Sequence, residues 1–235
     1  MTIQKLEIQI LVENIAGPGG TLGEGEFSAF ISAKFPDFDL KLLFDTGPSP
    51  VAFLNNIKKL EVDLTTIDDI ILSHGHWDHV GGLKEAIALT KKRIPVICHP
   101  QAFLPKIFSD KGKIIDVGIQ GFFDSIENLK EQANLIATTT SQKIAESVMT
   151  TGEVQRRNNY EELSGKLKDI TTLKDGKSIP DNIEDDLSLV FHLADDSVVV
   201  LAGCCHAGIV NTVAKTIELT DSSKIVGVVG GPASP

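Results

Sequence analysis

The sequence predicts an α/β domain, and three observations carry that prediction. Residues 5–13 (KLEIQILVE) and 27–34 (FSAFISAK) alternate with period two, the mark of strands with one buried face. Residues 67–72 (IDDIIL), 83–93 (LKEAIALTKKR) and 95–98 (PVIC) follow in strand–helix–strand order, which is a βαβ unit. At 235 residues the chain suits one domain with a sizeable core better than two, so residues 1–235 are read as a single unit.

The other elements follow in order. The glycine-rich stretch AGPGGTLGEGE separates the first two strands, and the turn FPDFD precedes a third, more continuously apolar one at 39–44. VAFLNNIKKL after FDTGPSP has helical spacing, and LKEAIALTKKR ends in cations, which suit a helix C-terminus. Residues 139–186 are polar and poorly periodic, with RRNN, GKLKD, KDGK and NIEDD in succession. So long an irregular stretch is either a lid or binding segment, or a solvated surface insertion. LSLVFHL (187–193) and VVVLAG (198–203), joined by ADDS, predict a hairpin. GCCHAGIVNTVAKTIEL then passes from strand to helix, and KIVGVVGG at 224–231 is the last strand. No internal repeat is evident.

Composition narrows the function classes. Hydrophobic content of 42% and charged content of 23% are ordinary for a soluble globular protein. A net charge of −10 without a long Lys/Arg run argues against nucleic-acid binding. No apolar run approaches the roughly 20 residues that span a bilayer. The alternating N-terminus reads as a strand and not a signal peptide. Three cysteines, two of them adjacent, do not form a disulfide framework. The expectation is a cytoplasmic protein.

Residues 73–82 read SHGHWDHVGG and crowd His74, His76, Asp78 and His79 into six positions. Neutral imidazole and carboxylate are ligands of zinc, manganese and iron. Two apart on an extended loop, His74 and His76 point to one side and can grip one ion. Asp78 and His79, where the loop turns, can reach a second. The loop lies at the carboxyl end of a strand, where ligand sites in such sheets occur.

Other residues carry chemistry less specifically. His206, in AGCCHAGIVNT, sits between a strand and a helix and is the best additional metal ligand. The helix start at Gly208–Ile209 offers free N–H groups that can hold a phosphate. Cys204 can ligate metal or simply pack, and Cys98 reads as core. Asp45 in FDTG either orients a metal-bound histidine or caps a turn. Asp185 and Asp186 contain a ligand or form a solvated turn. His99 can line the cleft, whereas His192 faces solvent. Arg156 and Arg157 either grip a phosphate or carboxylate or form a plain surface pair.

Laid end to end, FDTG, LSHGHWDHVGGL, TGEV, DDLSLV and GCCHAGIVNT resemble the metallo-β-lactamase superfamily over about residues 5–231. More narrowly they resemble a branch of metal-dependent hydrolases. Some of its members carry the label of 7,8-dihydropterin-6-methyl-4-(β-D-ribofuranosyl)-aminobenzene-5′-phosphate synthase. The resemblance implies an αββα sandwich with two central mixed sheets flanked by helices and a metal cleft at their edge. It implies that His74 and His76 hold a first ion and Asp78 and His79 a second, with His206 matching the branch's G-C-[SC]-H-A-G histidine. Two departures stand out. Where the branch reads E-H-G-L-S, this chain reads EGEFS (Glu24–Ser28). Where it reads G-G-x-H-L, this chain ends GGPASP, with Ala233 in the histidine's place. The expectation is then one tightly held ion per chain and a second held weakly.

The function implied is a metal-dependent hydrolase. Its metal-activated water would attack an anionic, phosphorylated small molecule, with Asp78 and His206 at the reacting centre. Zinc is the first choice of divalent ion, with manganese or iron as alternatives, one or two per chain. The synthase of the same branch is the alternative enzyme. Degenerate metal-binding and two-iron redox proteins are the rivals of other classes, and a homo-oligomer is compatible with all of them.

Overall fold

The computed structural model describes residues 2–17, 19–119 and 126–231. Ala233 therefore lies outside the described residues. Strands β1 (Lys5–Val12), β2 (Ser28–Lys34) and β3 (Asp39–Phe44) form an antiparallel meander. Helix α1 (Pro50–Lys59) follows, then β4 (Asp69–Ile71), the helical turn α2 (Trp77–Val80), α3 (Leu83–Thr90) and β5 (Pro95–Cys98). β4 joins β3, and β5 joins β4, in parallel, which is the crossover expected of the βαβ unit. β6 (Lys106–Asp110) and β7 (Lys113–Asp116) form a hairpin; α4 (Ile126–Gln132) leads to β8 (Asn134–Ala137), parallel to β5. The first sheet has the order β1-β2-β3-β4-β5-β8.

The second half supplies β9 (Lys143–Ala145), β10 (Val148–Thr150), β11 (Ile170–Lys174) and β12 (Lys177–Pro180). After these come β13 (Ser188–His192), β14 (Val198–Ala202), α5 (Ile209–Thr220) and β15 (Ile225–Gly230). The second sheet runs β15-β14-β13-β10-β9, with β14 and β15 parallel and its other pairs antiparallel. A smaller antiparallel sheet, β12-β11-β6-β7, stands apart.

Burial explains the layering. Along β3, Leu42 and Phe44 face one way and Leu43 the other, and all three are fully buried, so the strand reads as continuously apolar. The inward side meets Ile31, Ile71, Leu189, Phe191 and Leu201 between the two large sheets. The outward side meets Phe53 and Ile57 of α1, Leu83 and Ile87 of α3, and Leu129 of α4. α5 lies against β13 and turns Asn211, Thr212 and Thr216 inward. The result is an αββα sandwich. α1 starts where Ser49 Oγ accepts from the Val51 N–H and Pro50 sets the first turn, and it ends at Lys58 and Lys59.

Residues 139–186 are more ordered than their irregular sequence suggests. They contain β9 to β12, strands of three to five residues, with β12 wholly exposed. Strands this short show no period, and their partners, β13 for β10 and β6 for β11, are remote in sequence. No helix among the described residues is long and apolar enough to cross a membrane.

Candidate metal centre

Five turns meet at one end of the two large sheets: those after β3, β4 and β14, and those before β2 and β13. The turn after β4 carries the histidine loop. Trp77 N–H donates to Val117 O (3.0 Å), and Thr46 donates to His79 O through both its N–H (2.8 Å) and its hydroxyl (3.1 Å). Gly75 N–H donates to Asp185 Oδ2 at 2.8 Å. The loop is thus tied by four hydrogen bonds at three of its residues, Gly75, Trp77 and His79.

The predicted residues converge. The ring of His74 lies 4.5 Å from that of His76, 4.3 Å from His79 and 4.8 Å from His206, centre to centre. His74 Nε2 faces His76 Nδ1 at 3.0 Å. One ligand atom each from His74, His76 and Asp78 falls within a 4.8 Å cluster, as do atoms from His74, Cys204 and His206. His76 Nε2, Asp78 Oδ1 and both ring nitrogens of His206 are buried and have no hydrogen-bond partner among the described residues. Buried polar atoms are ordinarily paired. Two imidazoles and a carboxylate with unpartnered buried atoms, converging beside a third imidazole, are a donor set a divalent cation satisfies, so the residues present fit a metal.

Burial shapes the charges. It holds the imidazoles of His74 and His76 well below the ordinary histidine range, with neighbouring cationic groups adding to the effect, and lowers His206 to about 4. All three therefore present lone pairs at neutral pH. Burial also raises the Asp78 carboxyl.

His79 differs from these three. Burial works against its charged form, but Asp45 Oδ2 lies 2.8 Å from Nδ1 and leaves the ring well above the usual range. Asp45 also accepts from the Ser73 N–H (2.7 Å), and Ser73 Oγ sits 3.0 Å from His74 Nδ1. Asp45 and Ser73 thus fix which nitrogens of His79 and His74 face inward. The close approach depends on Gly203, where a Cβ would come within 2.4 Å of Ser73 Oγ.

Several other sequence readings change. Asp185 and Asp186 are buried, not a solvated turn. Asp185 Oδ1 and Asp181 Oδ2 both accept from the buried Lys106 Nζ, at 3.1 and 2.8 Å. Burial opposes the Lys106 charge, but the two aspartates leave its pKa raised. Asp186 accepts from the Ala207 N–H (2.9 Å), leaving Oδ1 without a partner, and burial lifts its carboxyl to about 7. His99 stands outside the cluster, its Nε2 2.9 Å from Glu153. Cys98 is core, and His192, partly exposed, bonds Asp196 at 2.8 Å.

The two anion-gripping candidates are already engaged. Arg156 donates to the carbonyls of His206 (2.9 Å) and Asn182 (2.8 Å), and Arg157 pairs with Glu218 on the surface. The helix start holds an anion, but it is this chain's own. Glu161 accepts from the N–H groups of Val210 (2.7 Å) and Asn211 (3.0 Å). Gly208, at φ +94, makes room, since a Cβ would fall 2.3 Å from Glu161 Cδ.

Residue-type spacing missed Glu26. It lies in the glycine-rich stretch EGEFS, yet its Oε2 reaches Cys204 Sγ (3.0 Å) and His79 Nε2 (3.5 Å). Nothing local in the sequence marks it, because its partners are 53 and 178 residues away.

Comparison with known proteins agrees with this geometry. A family model described as the metallo-β-lactamase superfamily matches residues 38–131. The chain is 32% identical over 224 residues to an uncharacterised protein of Methanocaldococcus jannaschii, covering 95% of this chain and 78% of that protein. It is 27% identical over 232 residues to the 7,8-dihydropterin-6-methyl-4-(β-D-ribofuranosyl)-aminobenzene-5′-phosphate synthase of the same organism, covering 97% and 78%. The solved structure of a metal-dependent hydrolase of the β-lactamase superfamily matches with a TM-score of 0.75 at 26% identity, covering 96% of this chain and 76% of that one. An N-acyl homoserine lactone lactonase shares the fold, with a TM-score of 0.51 at 14% identity, covering 98% and 92%. The chain belongs to the metallo-β-lactamase superfamily.

Proposed function

We propose that this protein is a metal-dependent hydrolase whose reacting centre is the pocket formed by His74, His76, Asp78 and His206. The observation that carries the reading is their convergence, with buried atoms of His76, Asp78 and His206 that no group among the described residues satisfies. These residues would hold a divalent ion, zinc by preference for an imidazole and carboxylate set, which when bound would supply a water of lowered pKa and polarise the bond under attack. His74, His76 and His206 stay neutral and donate lone pairs, because burial disfavours their protonation. Ser73 Oγ, 3.0 Å from His74 Nδ1, is placed to accept its N–H and so keep the lone pair on Nε2, the nitrogen that faces His76. Asp78, with Oδ1 buried and unpaired, is placed to hold the nucleophile by a hydrogen bond and to take its proton. Arg156 steadies the loop through the His206 carbonyl.

The substrate reading is an anionic, phosphorylated small molecule. Its support is a polar cleft of about 450 Å³ beside α5. Thr139, Thr140, Ser141, Thr151, Glu153, Arg157 and Lys215 line it, and because Arg157 pairs with Glu218, Lys215 is the lining cation offered to a phosphate. Asn211, on its rim, donates to Ala207 O next to His206 (2.9 Å). The synthase of the same branch is a second reading, favoured by the relative that bears that name.

The test is metal analysis of protein purified without added metal, followed by a screen of phosphomonoesters, phosphodiesters and lactones. At least one metal per chain and turnover of an ester are expected, with Asp78→Asn lowering kcat at least about 100-fold. Metal-loaded protein that leaves every ester intact would overturn the hydrolase reading. Condensation of a pterin with a ribosylated aminobenzene phosphate by that same protein would establish the second.

A further inference from the structure

A buried cation lies between the small sheet and the histidine loop. Lys106 opens β6, and its Nζ donates to Asp181 Oδ2 at 2.8 Å and to Asp185 Oδ1 at 3.1 Å, with all three side chains out of water. Asp185 turns its other oxygen, Oδ2, to the N–H of Gly75 (2.8 Å), the residue between His74 and His76. We propose that Lys106 is a positioning residue for the reacting centre: through Asp185 it fixes the peptide that joins His74 to His76, and so aims both imidazoles. The proposal rests on the metal-dependent hydrolase reading above and goes further, because it gives a residue of the small sheet a part in the reaction.

Three observations support it. The first is that Lys106 holds the loop from two sides. Its side chain reaches Gly75 through Asp185. Its backbone carbonyl accepts from the Val117 N–H (2.8 Å), and Val117 O accepts in turn from the Trp77 N–H (3.0 Å). His76 thus stands between two tethers that lead back to one residue. The second is the fit of Gly75. A Cβ there would fall 2.0 Å from Ala102 O, so the loop threads a gap in which a small displacement meets backbone. The third is the turn that carries the two aspartates. Asp181 Oδ1 accepts from the Ile183 N–H (2.9 Å), and Ile183 has φ +51, a left-handed conformation that a β-branched residue rarely takes. Strain of this sort persists where the surroundings over-determine it, and here the turn delivers Asp181 and Asp185 to one ammonium.

The rival account is that Lys106 only anchors the small sheet to the sandwich. A buried ion triad is a poor means to that end, because apolar side chains of similar volume stabilise as well or better. What the triad supplies is direction. A carboxylate accepts from two donors at once, so the Lys106 hold on Asp185 Oδ1 leaves Oδ2 one orientation, toward Gly75. Two variants separate the roles. Lys106→Met leaves two buried carboxylates without their cation. Lys106→Met combined with Asp181→Asn returns the buried charge to that of wild type, keeps an oxygen for the Ile183 N–H, and does not restore the hold on Asp185.

Full-length wild type and variants, stripped of metal, are titrated with Co²⁺ against a competing chelator. Visible absorption of the bound cobalt, thermal melts and kinetics on an ester that wild type hydrolyses are read in parallel. Lys106→Met should melt about 10 °C lower than wild type. It should bind cobalt about 10-fold or more weakly, with shifted visible bands. Its kcat should fall about 10-fold or more at a nearly unchanged KM. The double variant should recover most of the melting temperature but not the affinity, the spectrum or kcat. Asp185→Asn should match Lys106→Met in affinity and kcat, because one amide oxygen cannot accept from both Lys106 and Gly75, and it carries the comparison if Lys106→Met does not fold. Affinity, spectrum and kcat that return with the melting temperature in the double variant overturn the proposal, as do wild-type values in Asp185→Asn. Failure of the hydrolase reading is distinct: wild type then takes up cobalt and hydrolyses no ester, and affinity and spectrum still decide the role of Lys106.

Discussion

Asp69 opens β4 beside Asp68, with its backbone paired to Leu42, and burial lifts its carboxyl to about 6. Its folded pKa exceeds its unfolded one, so the folded state binds the proton more tightly. Any stability this confers is present below about pH 4 and is lost as pH rises through about 6. Asp69→Asn removes the penalty of a half-buried carboxylate. Thermal melts should show the variant more stable than wild type at pH 8 by about 1 kcal/mol, after discount for its exposed part, and no different at pH 3.5. An equal difference at both pH values would mean that packing, not charge, decides. The same scale shows what a sequence discloses about a site. His74, His76, Asp78 and His79 were legible because rare residue types fall in one short window. Glu26 was not, and Asp185 stayed open between ligand and solvated turn, because a carboxylate is ordinary in a chain with 32 Asp and Glu, and their partners are distant in sequence.

At the level of elements, the longer strands with a buried face were readable, and very short or largely exposed ones were not. β1 to β5 and β13 to β15 alternate or run apolar because one or both faces lie against a core. β6, β7, β11 and β12 make a small sheet with much of its surface in water, so Lys, Ser, Thr and Asp occupy it and no period survives. The start of α5 illustrates a subtler limit. Sequence spacing identified an anion site there, and the geometry fills it with Glu161 from the polar segment. Helix N-termini favour negative charge whatever its source. Glu161→Ala should therefore lower the melting temperature by a few degrees, the usual effect of losing about 1 kcal/mol of capping. It should also let inorganic phosphate restore that loss, while wild type barely responds. A variant as indifferent to phosphate as wild type would show that the helix start takes Glu161 for its shape alone.

For the molecule as a whole, the site lies where the two sheets end together, so its ligands come from both: the histidine loop from the first sheet, Cys204 and His206 from the second. An ion bound there is bound only by the folded chain, and its binding energy adds to the stability of the sandwich. Free metal at about 100 times its dissociation constant adds roughly 2.7 kcal/mol, and chelation should remove it. The stripped protein should then betray its crowded imidazoles. His74 and His76 are held well below the ordinary range and His206 at about 4. For a base with a depressed folded pKa, the unfolded chain takes up protons first. Stability is whole above about pH 6.5 and falls as pH drops toward the folded values. Replacing both His74 and His76 with alanine removes two of those three groups. Both ligands sit in a loop outside the two apolar cores, so the double variant should fold, with an unchanged far-ultraviolet circular dichroism spectrum. Its melting temperature should respond less to added metal than that of wild type. At pH 8 it should melt at or below stripped wild type, through the packing lost, and at pH 5 the gap should close or reverse. His79, raised by Asp45, is common to both proteins and cancels in the comparison. Parallel slopes between pH 8 and pH 5 would show that the two imidazoles are not buried neutral in the metal-free fold, and the loop would have to be open before the ion arrives.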